Sequence, residues 1–377
     1  MFQNLKSTIT QNIRNFQGWN TKRKIVVIES DDWGTIRMPS KEVYNTLLKS
    51  GIRVDKCEYN RYDSLASEED LSALFEMLTQ FKDINGKSPV ITANTIVANP
   101  DFNKIKASGF SEYHYELFTE TLERYPNHSN SFLLWKQGIQ EGIFVPQFHG
   151  REHVNIHRWM SALQGNLPET RLAFELELFG ISTHITSEKR RSYLAALDLD
   201  SISELENQKM ILVDGLNQFE KIFGYRSLSF IATNHIWNSA IESKIAKSSI
   251  KYIQGSSSQY QPQGNNNPYK IIRHQLGEKN DSGQIYLTRN CSFEPSMHKN
   301  KNIVQYCIDD MTSAFRWNKP AIISAHRLNF IGSIVQENRT ENLKLFSELI
   351  RIAQDKWPQI EFMSSDQLGN LIMKVNT

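Results

Sequence analysis

The strongest constraint on the fold is a regular alternation between short apolar runs and segments whose apolar residues recur at helical spacing. The apolar runs that have the length and composition of buried strands are residues 24–30, 89–94, 143–148, 228–232, 252–254, 284–288, 320–324 and 360–363. Strands that alternate with helices favour βαβ units and a parallel sheet. We therefore expect an α/β fold, a distorted or incomplete barrel of about seven or eight β/α units. An open doubly wound sheet is the alternative.

The remaining segments suggest one domain with additions. Residues 21–377 are expected to form the barrel, with helical insertions at about 110–140 and 155–200. Residues 1–20 are expected to form a short amphipathic helix that packs on it. The apolar positions that recur at helical spacing in that segment are Phe2, Leu5, Ile9, Ile13 and Phe16.

Composition excludes several classes of function. The chain has 43 Lys and Arg against 41 Asp and Glu, a net charge of +2, so no global field favours nucleic acid or an anionic membrane. Its 3 cysteines form no C-x-x-C pair, which argues against a disulfide framework or a thiolate zinc site. No apolar run reaches the roughly 18 residues of a transmembrane helix. The first residues also lack an apolar run of signal length, so the expected compartment is the cytoplasm.

Ionisable and amide side chains follow the ends of several predicted strands. They are Asp31 and Asp32, His149 and His153, Asn234 and His235, Arg289, and His326 and Arg327. In a parallel barrel the C-terminal strand ends converge on one face, where active sites are built. We therefore expect these residues, which are far apart in sequence, to meet there. The candidate substrate-binding residues are Trp33, Asn234, His235 and Arg327.

Asp31 and Asp32 are adjacent carboxylates at the end of a buried run. Burial and mutual repulsion make such a pair costly, and a divalent cation relieves both effects. One aspartate can then ligate the metal while its neighbour points to the other side and acts as a base. A turn or a helix N-cap is an equally common reason for an aspartate at such a position.

His149 and His153 are four residues apart and can face one metal ion if His153 lies in a first helical turn. Imidazole combined with carboxylate suits Zn²⁺, Mn²⁺, Co²⁺ or Ni²⁺. Taken alone, such a pair is often a polar surface pair, and the spacing is not that of the H-E-x-x-H zinc motif. His326 and Arg289 are by default a turn histidine and a surface arginine, but both follow strands that end on the same face.

Taken together, these segments resemble the polysaccharide deacetylase superfamily of carbohydrate esterases over roughly residues 24–330. Ser30-Asp31-Asp32-Trp33-Gly34 is similar to the family's aspartate-pair motif. His149-Gly150-Arg151-Glu152-His153 is similar to its H-S/T-x-x-H motif, and Ser324-Ala325-His326 to its C-terminal L-x-H motif. Two departures stand out: Gly150 replaces Ser or Thr, and residues 230–235 lack the Arg and Pro of the third motif.

This resemblance implies a metal-dependent hydrolase that removes an acetyl group from an N-acetylated or O-acetylated sugar. Asp32, His149 and His153 would hold one divalent ion, with Zn²⁺ the first candidate. Asp31 would be the general base and His326 the general acid. Arg289 would pair with Asp31 in place of the missing third-motif arginine. The implied partner is a carbohydrate, and a sugar precursor inside the cell is an alternative to a wall polymer.

Two other functions remain open at this point. A barrel of the same fold could bind glycans without catalysis, which the weak third motif favours and the retained Asp31 and His326 oppose. Two histidines and one carboxylate also make the metal triad of non-haem Fe(II) oxygenases. Those enzymes usually have an all-β scaffold, which the alternation of strands and helices here opposes.

Overall fold

The protein is described by a computed structural model that covers residues 15–299 and 302–375. Its strands are β1 (Lys24–Trp33), β2 (Ile91–Ile96), β3 (Ala98–Pro100), β4 (Tyr115–Leu117), β5 (Phe144–Gly150), β6 (Ser229–Ile231), β7 (Tyr252–Gly255), β8 (Ser258–Gln261), β9 (Lys270–Arg273), β10 (Ile285–Thr288), β11 (Cys291–Ser292), β12 (Ala321–His326) and β13 (Ile360–Met363). Most of the expected helix at residues 1–20 lies outside the described residues.

Helices connect most of these strands, as the alternation in the sequence predicts. They are α1 (Lys41–Lys49), α2 (Glu58–Tyr62), α3 (Glu68–Thr79), α4 (Phe102–Ala107), α5 (Phe118–Arg124), α6 (Ser131–Gln140), α7 (Ile156–Gln164), α8 (Pro168–Glu175), α9 (Leu205–Phe223), α10 (Glu242–Lys247), α11 (Ile303–Arg316), α12 (Gln336–Lys356) and α13 (Ser365–Val375). Among the described helices, none is long and apolar enough to cross a membrane.

The main sheet is parallel and curls into an incomplete barrel, which confirms the predicted fold class. Its strands follow the order β10-β7-β6-β5-β2-β1-β12-β11, and β13 pairs with the start of β1. The strand order places the C-terminal ends of β1, β5, β6 and β12 on one face. Most of the side chains predicted to form the site are therefore carried to a common mouth.

The two edges of the curled sheet are joined by the chain itself. Only Arg289 and Asn290 separate β10, at one edge, from β11, at the other. The Arg289 amide donates to the Gly255 carbonyl over 2.8 Å, and the Asn290 amide donates to the Ile322 carbonyl over 3.1 Å. This two-residue segment, which we call the seam, bridges β7 and β12 where no strand pair closes the barrel.

Alternation along β1 separates the barrel interior from the helix layer. Ile25 and Val27 pack inside with Leu368 and Ile372 of α13, which fill the N-terminal end of the barrel. Glu29 belongs to the same alternating set but is polar. The interior is therefore apolar at the N-terminal end of the strands and polar at the C-terminal end.

The two segments predicted as helical insertions differ in structure. Residues 110–140 contain α5 and α6, and residues 155–176 contain α7 and α8. Residues 177–200 contain neither helix nor strand. Ion pairs hold this segment instead, because Arg158 of α7 pairs with Asp198 and Asp200 over 2.6 and 2.7 Å.

Candidate active site

A β-bulge at the end of β1 turns two adjacent carboxylates into the barrel. The register between β1 and β2 shifts between Ser30 and Trp33, and Asp32 has a φ of 74°. In a regular strand, neighbouring side chains point to opposite faces. The left-handed conformation of Asp32 allows its carboxylate to line the same cavity as that of Asp31. The expectation that the two would point to opposite sides is therefore wrong.

Three buried side chains form a candidate metal site at this mouth. The Asp32 Oδ1 atom lies 3.0 Å from His153 Nε2 and 3.4 Å from His149 Nε2. One donor atom from each residue falls within 4.8 Å of the other two. The structure thus brings together the three residues that the sequence predicted as metal ligands.

The contacts of His149 fit a metal ligand. Its Nδ1 lies 2.9 Å from the Ile231 carbonyl oxygen, an atom that can only accept, so the proton is on Nδ1. Its Nε2 is buried without a hydrogen-bond partner among the described residues and lies 3.4 Å from Asp32 Oδ1. A histidine whose other nitrogen donates to a carbonyl is the usual arrangement around a metal.

His153 is positioned by a loop and not by the helical turn that its spacing suggested. It lies before α7, whose N-cap is Asn155. The pKa of His153 is lowered to about 4 by burial and by the nearby Arg37, with Asp32 opposing. The imidazole is therefore neutral near pH 7, the form that a metal ion requires.

Asp31 is held by a buried arginine and does not belong to the candidate metal triad of Asp32, His149 and His153. Arg289 donates to both Asp31 oxygens over 2.6 Å, and its Nε donates to Glu29 over 2.6 Å. Asn94 Nδ2 donates a further bond to Asp31 over 2.7 Å. Burial raises the pKa of Asp31, but the Arg289 charge outweighs burial and holds it well below the ordinary range.

His326 lies beside Asp31 on the neighbouring strand. The register pairs Asp31 of β1 with His326 of β12, and His326 Nε2 is 3.9 Å from Asp31 Oδ2. His326 Nδ1 lies 2.6 Å from Glu294 Oε1. Burial lowers the pKa of His326, but Glu294 more than offsets this effect and raises it to about 9. The imidazole is therefore protonated near pH 7.

These groups surround a cavity of about 100 Å³. Its lining is Asp31, Asp32, Arg37, Tyr59, His149, His153, Leu194, Ala232, Asn234, His235 and His326. Most of the predicted site residues are in this set, and Arg289 lies directly behind Asp31. Burial and Arg289 lower the pKa of His235 to about 4, so this imidazole is neutral near pH 7.

Two predicted substrate-binding residues lie elsewhere. Trp33 is 1% exposed and packs in the helix-facing core against Trp135 and Phe144, because the bulge at Asp32 turns it outward. Arg327 is 0% exposed and donates to Asp63 Oδ1 and the Thr35 carbonyl. Neither residue is available to a ligand in the cavity, so both expectations are wrong.

Sequence reasoning missed three residues of the site: Arg37, Tyr59 and Glu294. Arg37 donates to Asp32, Tyr59 lies edge-on to His326, and Glu294 binds His326. None of the three ends a strand, so position in the predicted barrel did not single them out. Of the three, Glu294 was the easiest to find from the sequence, because it lies two residues after β11, the strand beside β12.

The two departures from the family motifs, at Gly150 and at residues 230–235, coincide with unusual backbone conformations. Gly150 has a φ of 143°, and a Cβ there would meet the Glu152 carbonyl and the Ile96 side chain at 3.3 Å, so Ser or Thr fits poorly. In residues 230–235, the segment compared with the third motif, Asn234 and His235 have φ values of 57° and 56°. The guanidinium that pairs with Asp31 belongs to Arg289 of the seam, over 2.6 Å.

No protein-family model matches the sequence, and no curated protein matches it. Solved structures do match its fold. A 4-alpha-glucanotransferase from Thermococcus litoralis is 10% identical with a TM-score of 0.45, over 92% of this chain and 40% of that one. A probable polysaccharide deacetylase from Pseudomonas aeruginosa is 9% identical with a TM-score of 0.46, over 93% and 91%. The allantoinase PuuE is 11% identical with a TM-score of 0.46, over 93% and 91%.

Polysaccharide deacetylases, the family that the motifs resemble, are thus among the matching structures. The chain spans 40% of the length of the glucanotransferase.

Proposed function

We propose that the protein is a metal-dependent hydrolase that removes an acetyl group from an N-acetylated or O-acetylated sugar. The observation that carries the proposal is the composition of one cavity. A buried Asp-His-His cluster, an ionised Asp31 and a protonated His326 line the same space. This is the set of groups that hydrolysis of an acyl bond needs: a cation site, a base and an acid.

The roles follow from the protonation states. Asp31, kept anionic by Arg289, is the candidate acceptor of the proton from the attacking water. His326, kept cationic by Glu294, is the candidate donor to the leaving nitrogen or oxygen. Two titratable groups whose surroundings push their pKa values apart give this assignment of base and acid.

Asp32, His149 and His153 would hold the metal ion. When bound there, the ion would supply a water of lowered pKa and polarise the acyl carbonyl. Two imidazoles and one carboxylate fit Zn²⁺, which is the first candidate, with Mn²⁺, Co²⁺ and Ni²⁺ as alternatives. We further propose a carbohydrate substrate within the cytoplasm.

The alternatives fit the cavity less well. A glycan-binding barrel without catalysis has no need of a carboxylate and an imidazolium that are 3.9 Å apart, each with its own buried partner. An Fe(II) oxygenase usually has an all-β scaffold, whereas the main sheet here is parallel and covered by helices. Zinc-dependent release of acetate, with no consumption of oxygen, separates all three possibilities.

The direct test is acetate release by the zinc-loaded protein. The panel contains N-acetylglucosamine, its oligomers, an O-acetylated xylan and an N-acetylated peptide as a non-sugar control. We expect acetate from at least one sugar and a loss of activity after chelation. Absence of acetate from every sugar, by a protein that binds one zinc ion, would refute the proposed reaction.

The variant Asp31→Asn separates the base from the metal site. Replacing the carboxylate by an amide should lower kcat by a factor on the order of 10²–10⁴, the usual contribution of a general base. Zinc binding, measured by isothermal titration calorimetry, should stay within a factor of about three. Asp32→Asn is the matched control, because it should lose both zinc and activity.

A further inference from the structure

The Arg37 guanidinium lies against the proposed metal ligands. Its side chain is 5% exposed, and the residue lines the same cavity as Asp31 and His326. NH2 donates to Asp32 Oδ2 over 3.1 Å and lies 3.4 Å from His153 Nε2. The Asp32 oxygen that Arg37 binds is the one that faces away from the two imidazoles, which approach Oδ1.

The donors of Arg37 exceed the acceptors around it. A guanidinium carries five N–H donors. Arg37 Nε is buried without a hydrogen-bond partner among the described residues, and Asp63 Oδ2 is 3.6 Å away. Asp63 gives its other oxygen to Arg327, whose Nε donates over 3.0 Å. Asp32 is therefore the one carboxylate that accepts a hydrogen bond from Arg37 within the described part of the chain.

A cation in the triad would change the surroundings of Arg37. A ring nitrogen that coordinates a metal has no lone pair left to accept a hydrogen bond. The Arg37 NH2 group, 3.4 Å from His153 Nε2, would then lie beside the ligands with no acceptor at that nitrogen. A buried guanidinium is also repelled by a divalent ion. A negatively charged oxygen in the cavity would relieve both effects.

We propose that Arg37 is a catalytic residue that donates an N–H to the acyl oxygen of the substrate. The inference rests on the hydrolase function proposed for this cavity. In acyl hydrolysis negative charge develops on that oxygen, and a preorganised cationic donor in a buried site stabilises it. Arg37 adds this third function to the Asp31 base and the His326 acid.

A merely structural role predicts a different result. If Arg37 only oriented Asp32, its loss would weaken zinc binding, and excess zinc would restore activity. If Arg37 donates to the acyl oxygen, its loss leaves zinc binding intact or tighter, because the repulsion between guanidinium and ion is removed. The binding of an anionic oxygen ligand would then weaken without any change in zinc affinity.

The experiment uses zinc and then acetate as calorimetric probes of the full chain. Zinc is titrated into the metal-free wild type and into Arg37→Gln, and acetate is then titrated into each zinc-loaded protein. Acetate carries the charged oxygen of the proposed product, and its binding needs no turnover. We expect equal or higher zinc affinity in the variant and acetate binding weaker by about tenfold or more, the usual weight of a charged hydrogen bond.

Kinetics provide the second measurement. On a sugar that the wild type deacetylates, Arg37→Gln should lower kcat about 10²–10³-fold, with KM changed by less than about threefold. The matched control is Arg339→Gln. Arg339 is also a buried guanidinium between two carboxylates, Glu69 and Asp70, but it does not line the cavity. It should leave the affinity for acetate unchanged.

The outcomes separate the inference from the proposed reaction. Equal acetate affinity in wild type and variant, no acetate binding by the wild type, or activity restored by excess zinc overturns the assignment of Arg37. Arg37-dependent acetate binding without turnover of any sugar refutes the proposed reaction but keeps Arg37 as the donor to an anionic oxygen in the cavity. If Arg37→Gln fails to fold, Arg37→Lys, which keeps the charge but not the planar fork, gives the same comparison.

Discussion

At the scale of single residues, the pair formed by Glu294 and His326 sets the protonation of the candidate acid. Glu294 raises the pKa of His326 to about 9, above its ordinary value near 6.5. The His326 imidazolium is therefore present below about pH 9 and is lost as the pH rises through that value. Asp31 is ionised throughout the same window, because Arg289 lowers its pKa.

The variant Glu294→Gln should move the basic limb of the pH profile. Without the carboxylate, the pKa of His326 falls from about 9 toward 6.5, so the decline of kcat/KM begins at lower pH. The measurement is kcat/KM for acetate release between pH 5 and about pH 10. In the wild type, the ion pair stabilises the fold fully below the unfolded-state pKa of His326, and this contribution is lost as the pH rises through about 9. The variant should lack this contribution at every pH.

The matched control for this shift is Glu204→Gln. Glu204 lies 3.9 Å from His157, a Glu–His pair outside the cavity. Its pH profile should coincide with that of the wild type. An unchanged profile in Glu294→Gln would contradict the role given to His326.

The residues that the sequence could identify share one property: each follows a recognisable strand. Asp31, Asp32, His149 and His326 were found in this way. Arg37 and Tyr59 come from segments after β1 whose path is set by tertiary packing, and no local pattern marks them. Trp33 was misplaced because it follows a predicted strand end in sequence, while the left-handed conformation of Asp32 turns its side chain toward the helix-facing core.

At the scale of elements, the end of β5 is the most constrained part of the site. His149 ends the regular strand, Gly150 turns with a φ of 143°, and a loop then carries His153 to Asp32. A side chain at position 150 would be strained and would contact Ile96. The spacing between the two imidazoles thus depends on a glycine.

We expect Gly150→Ser to destabilise the fold and weaken the metal site. The strain should lower the free energy of unfolding by about 1–3 kcal/mol. Zinc affinity should fall because His149 and His153 separate. Urea unfolding and zinc calorimetry measure the two effects.

Gly283→Ser supplies the comparison. Gly283 also has a positive φ, 77°, but no atom lies within 4 Å of a Cβ there. It should lose only about 1 kcal/mol, the cost of a left-handed conformation, and bind zinc normally. If Gly150→Ser binds zinc as well as this control, the turn at Gly150 does not set the spacing of the ligands.

Strands and most helices were predictable because their apolar periodicity is local. The irregular segment at residues 177–200 was not, since its path depends on ion pairs such as Arg158–Asp198 between distant positions. Periodicity predicts elements that bury one face. Periodicity does not predict the path of a segment that is fixed by ion pairs with distant residues.

At the scale of the whole molecule, the hydrogen bonds of the seam join the two edges of the sheet, where no strand pair does so among the described residues. The Asn290 side chain accepts from the Ile322 amide over 2.8 Å and donates to the Pro320 carbonyl over 2.9 Å. It therefore fixes the start of β12 to the chain segment that contains Arg289.

Asn290→Ala should weaken the attachment of the seam to the start of β12. Two buried backbone groups lose partners at a cost of about 1–3 kcal/mol each, so we expect the free energy of unfolding to fall by at least about 2 kcal/mol. The value of kcat/KM should also fall, because Arg289 is the adjacent residue. Chemical denaturation and acetate release are the measurements.

Asn280→Ala is the control for the seam. Asn280 makes side-chain hydrogen bonds to Glu242 and Gln284 in the turn before β10, away from the cavity. It should lower stability without lowering kcat/KM. Equal kinetic effects in the two variants would argue against a special role for the closure.

Arg289, which pairs with Asp31 in the cavity, also belongs to the seam that joins the two edges of the sheet. The geometry of the cavity therefore depends on the contact between those two edges. Gentle warming that parts the two sheet edges would also withdraw the guanidinium from the carboxylate. Inactivation on heating should therefore precede the loss of helical circular dichroism. An evolutionary route to greater heat resistance would run through residues 289–290 before it ran through the core.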